Sequence, residues 1–175
     1  MKNLILSLTL VLTVSSGFAQ DELSRRQTKG DGSVPVTQAE ASAVFSRVEQ
    51  ALFRLTKVSG VLPKMASSPN PVHRTEIIER MSRLFTVLRP KFKFTPRRER
   101  FDPKIITIPA GAPQRVELEK LIQWGFIAKT GVIATATKET VSLSEFGDVV
   151  GFFAARIAEL THTPSSKWSP YMSGD

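Results

Sequence analysis

Val141-Ser142-Leu143-Ser144-Glu145-Phe146 is the stretch on which the fold turns. Ser142 is of the type whose hydroxyl accepts a backbone N–H at a helix start. Glu145 stands three residues on, where its carboxylate reaches back to the cap amide. Val141 and Phe146 occupy the positions of a hydrophobic staple across this box. Beyond it Phe146, Val149, Val150, Phe153, Ala154 and Ile157 recur at three-and-four spacing, which predicts a helix over 143–160 with one apolar face.

The same start recurs twice upstream. Thr37 and Glu40 form a box before the stripe Ala41, Val44, Phe45, Val48, Ala51, Leu52 and Leu55, predicting a helix over 38–57. Val72-His73-Arg74-Thr75-Glu76 opens a stripe of Ile77, Ile78, Met81, Leu84, Phe85 and Leu88, which Pro90 stops. Another helix, over 114–124, buries Leu118, Leu121 and Ile122 and ends at Gly125, a residue suited to a left-handed cap. Between the helices, Lys91-Phe92-Lys93-Phe94 alternates with a two-residue period and reads as a short strand or an extended strap. Residues 95–113 hold four prolines and form a long ordered connection. The fold class expected is mainly α, a small domain of about four amphipathic helices over 36–160. A polar leader over 20–35 precedes it and a tail with Trp168 and Tyr171 follows over 161–175.

Three like helix starts suggest stacked copies of one unit sharing a core. The pattern resembles the S-layer homology module, whose repeats pair a helix ending in an apolar Gly turn with a second helix opened by Thr-Arg-Ala-Glu. Leu118 to Ile127, through Trp124-Gly125-Phe126, is similar to the first helix and turn, and 142–160 to the second. Asp31-Gly32-Ser33-Val34-Pro35 is similar to a shortened form of the family's Asp-Gly-Thr-Phe-x-Pro turn. The signature Arg stands at Arg74, whereas the equivalent places hold Gln38 and Leu143. The resemblance implies helix pairs and binding of an anionic cell-wall polymer, with the motif Arg on acidic groups of the glycan.

The first residues bear on location. Lys2, the apolar run from Leu4 to Val14, and small residues at Gly17 and Ala19 have the form of an export signal over 1–19, cleaved near Gln20. No later stretch is long and apolar enough to span a membrane. The destination expected is the cell envelope, periplasm or surface. With no Cys in 175 residues, disulfides, thiolate zinc sites and a cysteine nucleophile are excluded.

Charge and chemistry complete the reading. The net charge of +8 is concentrated in 89–104, where Arg89, Lys91, Lys93, Arg97, Arg98, Arg100 and Lys104 face only Glu99 and Asp102. Such a patch either attracts acidic envelope polymers or is a solvated loop that keeps the chain soluble. Candidate polymer-binding residues are Arg74, Trp124, Arg97, Arg98 and Arg100. Arg74, beside the free amides of a helix start, suits a forked contact with an anion or a surface ion pair. Trp124 suits stacking on a sugar or packing at the core edge. His73 and His162 lie far apart without ligand spacing, so no metal is expected. No nucleophile elbow or phosphate loop appears, so neither catalysis nor a cofactor is expected. Two alternatives stand beside polymer binding. One is a helical domain that docks on an envelope protein. The other is a winged-helix-like fragment over 114–160, its Arg97-Arg98-Glu99-Arg100 run on a phosphate backbone; export makes nucleic acid an unexpected partner.

Overall fold

The computed structural model describes residues 33–60 and 62–163. The export segment, most of the polar leader and the tail aromatics Trp168 and Tyr171 lie outside the described residues. The fold is mainly α: helix α1 spans Gln38–Thr56, α2 Arg74–Leu88, α3 Pro113–Gln123, α4 Val132–Thr135 and α5 Leu143–Thr161. Short 3-10 turns at Arg89–Lys91 and Pro103–Ile105 punctuate the connection between α2 and α3. No helix among the described residues is long and apolar enough to cross a membrane.

The three like helix starts meet. Pro35 bridges Ser142, Thr37 bridges Pro71, and His73 bridges Thr140, each antiparallel, so the segments before α1, α2 and α5 close a triangle. The bonds run in cyclic order. The first amide of each helix has no partner within its own helix. Here Gln38 N–H donates to the Asn70 carbonyl at 2.8 Å, Arg74 N–H to Glu139 at 2.7 Å, and Leu143 N–H to Val34 at 2.9 Å. Each acceptor lies two residues before a valine of the next segment, and those valines, Val36, Val72 and Val141, are buried at the triangle's centre.

Local capping holds each corner. Thr37 Oγ1 accepts from Glu40 N–H at 3.2 Å while the Thr37 amide donates to Glu40 Oε2 at 2.7 Å. Ser142 and Glu145 repeat the exchange at 3.3 and 2.8 Å. In α2 the His73 amide donates to Glu76 Oε1 at 3.2 Å, and the same carboxylate accepts from Gln38 Nε2 at 3.0 Å, tying two corners together.

The helical stripes converge on one core, in which Phe45 meets Phe146 edge-on at 5.6 Å and Phe126 contacts Phe85 and Phe153. Gly125 has φ +71°, the left-handed conformation expected at the end of α3, and turns Phe126 and Ile127 into the core. Beneath the surface, Arg80 Nε and Nη2 each meet a Glu49 carboxylate oxygen at 2.5 Å, and Arg80 also donates to the Pro63 carbonyl. That buried fork joins α1, α2 and the loop between them.

Two expectations are corrected. The helices expected, about four, are present as α1, α2, α3 and α5 among the described residues; beside them stands the single turn α4, too short to carry a periodic signal. Its presence, with no strand pairing between 126 and 139, removes the hairpin that a winged helix requires. The alternation at Lys91 to Phe94 forms neither strand nor a two-faced strap. Phe92 packs on Phe85, Trp124 and Phe126, but the chain bends after it and leaves Phe94 41% exposed beside the His162 ring.

Candidate functional site

The connection 92–112 lies across the ends of three helices and is pinned by arginines. Lys93 N–H donates to the Leu160 carbonyl near the end of α5 at 2.7 Å, and Glu99 N–H to the Gln123 carbonyl at the end of α3 at 2.9 Å. Arg115 donates to the carbonyls of Ile106, Ile108 and Pro103 at 3.0, 2.7 and 2.6 Å, and its Nε meets Glu119 at 2.6 Å. Ile106 and Ile108 are buried beneath it. Within this mostly irregular segment one side chain satisfies the carbonyls of Pro103, Ile106 and Ile108, which ties it to α3.

Along this strap Lys91, Lys93, Arg97, Arg98, Arg100 and Lys104 are exposed. Among the described residues none of them forms an ion pair. Three sequence candidates, Arg97, Arg98 and Arg100, are therefore exposed within four residues of one another on the strap.

The other two candidates are placed differently. Arg74 is 6% exposed. Its Nη1 donates to Thr107 Oγ1 and the Ile133 carbonyl, both at 3.1 Å, and Nε is buried without a partner among the described residues. Burial lowers the guanidinium below the ordinary arginine value, with the charge of Glu139 opposing that shift. The α2 start is equally occupied, since its first amide serves Glu139 and its cap amide serves Glu76. The expectation of an outward forked contact is corrected: Arg74 pins the strap and α4 to α2.

Trp124 is 7% exposed, with Phe85 edge-on at 5.2 Å and Phe92 tilted at 6.1 Å. The open sugar-stacking face is likewise corrected. What the indole does present is a cation, for the Arg89 guanidinium lies 5.3 Å from its ring centre. Beside it Lys120 Nζ lies 5.6 Å from the centre of the Phe85 ring and meets Glu117 Oε2 at 2.6 Å. Burial pushes the Glu117 carboxyl up, but hydrogen bonds from Lys120 and Ser82, with the Lys120 charge, outweigh it and hold the group below the ordinary glutamate range.

Sequence reasoning missed Arg115 and the pairing of Arg89 with Trp124. An Arg in the first turn of a predicted helix, after a long Pro-containing connection, was the available signal for the first. A second feature lies elsewhere: a largely apolar groove of about 340 Å³ between the segment after α3, α4 and α5, lined by Ile127, Val132, Val149 and Phe152 with Glu145 and Asp148. Phe152 is 48% exposed there. No three His, Asp or Glu side chains gather into a metal-binding group among the described residues.

No family model, no curated protein and no solved structure matches this chain.

Proposed function

We propose that this chain is an exported, non-catalytic cell-envelope protein whose S-layer-homology-like helical module associates with an anionic cell-wall or surface polymer. The observation that carries the reading is the pinned strap with Arg97, Arg98 and Arg100 exposed and without an ion pair among the described residues. Cations fixed in place along a backbone pay less ordering entropy on meeting a polyanion than cations on a loose loop. The triangle of three like helix starts supports the repeat character of the module, and the export-signal pattern supports the envelope as the place where such polymers are met.

Cosedimentation with isolated wall polymer tests the reading. The parent protein is expected to pellet with the polymer and to be released by added salt, because exposed charges are screened. Failure to pellet at low salt overturns it.

The 340 Å³ apolar groove with exposed Phe152 favours a second reading, docking on an envelope protein. In that case Phe152→Asp abolishes association with envelope material, whereas neutralising the strap leaves it unchanged.

A further inference from the structure

The strap begins at a cleft that the polymer reading leaves unassigned. It is an open hollow of about 560 Å³ at the end of α2, lined by Phe85, Thr86, Arg89, Pro90 and Lys120. Phe85, 2% exposed, lies at its floor, and its rim is cationic. Arg89 is exposed, makes no ion pair among the described residues, and is held over Trp124 by the ring's negative face. Lys120 is held over Phe85 in the same way and gives one of its three donors to Glu117. Pro90 follows directly and restricts the backbone that carries Arg89. Two cations positioned by rings, with donors left toward solvent, line one hollow and suit one acidic group entering it.

We propose that this cleft is a subsite for one carboxylate- or phosphate-bearing unit of the anionic polymer, anchoring the chain that then follows the strap. Arg89 supplies the directional contact, Lys120 the second charge, and exposed Pro90 apolar surface for the body of the unit. The inference rests on the polymer-binding reading and adds to it a fixed point of attachment.

The experiment uses the full chain carrying Trp168→Phe, which leaves Trp124 as the remaining indole of the two in the sequence. It is titrated with an oligogalacturonate and, separately, with a short polyglycerol phosphate, reading both affinity and Trp124 emission. An acid that draws Arg89 from the ring shifts the emission. Arg89→Gln is expected to abolish that shift and to weaken binding about tenfold, the order of one lost charge-assisted hydrogen bond. Arg89→Lys is expected to recover part of the affinity, and Arg83→Gln, an exposed Arg outside the cleft, to change nothing. A shift with one ligand alone identifies the acid as carboxylate or phosphate. If Arg89→Gln binds as its parent does while neutralising Arg97, Arg98 and Arg100 abolishes binding, the subsite is overturned and the polymer reading stands. If neither ligand nor isolated wall polymer binds, both fall together.

Discussion

The amide of Val36 donates to the carbonyl of Val141 at 3.0 Å, joining the first helix start to the last. With Val72 N–H donating to the Val36 carbonyl at 2.9 Å, the starts of α1, α2 and α5 depend on one another through backbone bonds at the triangle. Truncating its buried centre therefore loosens all three helix starts at once.

Val36→Ala, Val72→Ala and Val141→Ala are each expected to cost about 2 kcal/mol, the worth of the apolar groups removed plus the space they leave. Val116→Ala, at a position 65% exposed, is expected to stay within about 0.5 kcal/mol. Denaturant midpoints read both, and equal midpoints for Val141→Ala and Val116→Ala would mean that the triangle contributes nothing.

Glu49→Ala is expected to cost about 3 to 5 kcal/mol, because it strands the Arg80 guanidinium in the interior. Replacing both residues with Met should recover much of that loss, since the buried charges go together, although the Pro63 carbonyl then loses its donor. A double-mutant cycle checks this. Additive costs would show that the fork is not an energetic unit.

Much of this architecture was legible because capping is local. Thr37 with Glu40, and Ser142 with Glu145, carry their partners within four residues, and the stripes of α2 and α5 repeat long enough to fix a face. The fate of Arg74 was not legible. Its partners Thr107 and Ile133 come from segments with no periodicity, and their return over α2 is a tertiary event. Trp124 next to Gly125 was readable as a core-edge residue, but Arg89 over its ring required the turn at Pro90. Phe92 and Phe94 obeyed the alternation in sequence and lost it in space, because Lys93 bonds to Leu160 and the chain bends there.

Gly125→Ala is expected to destabilise by about 1 kcal/mol, since φ +71° is unfavourable with a Cβ. That Cβ would also stand 3.3 Å from Arg156 Nε and Nη2, displacing the side chain whose Nε donates to the Trp124 carbonyl. Thermal unfolding checks it; a midpoint equal to the parent's would show that this turn tolerates a side chain.

Acid should expose Glu117. Its carboxyl is held below the ordinary glutamate range in the fold, so the unfolded chain binds the proton more readily. The stabilisation is present above the unfolded value and is lost as pH falls through the folded one. Glu117→Gln is accordingly expected to flatten the acid limb of stability against pH. An acid limb as steep as the parent's would assign the effect to other carboxylates.

Polymer association rests most directly on Arg97, Arg98 and Arg100. The decisive measurement is cosedimentation of the full chain with isolated wall polymer across a salt series, for the parent and for Arg97→Gln/Arg98→Gln/Arg100→Gln, after both are shown to unfold at the same midpoint. The parent is expected to bind at low salt and to be released as salt rises, and the triple variant to lose most of the salt-sensitive part. A triple variant that binds with the parent's affinity and the parent's salt dependence would contradict the role of the strap.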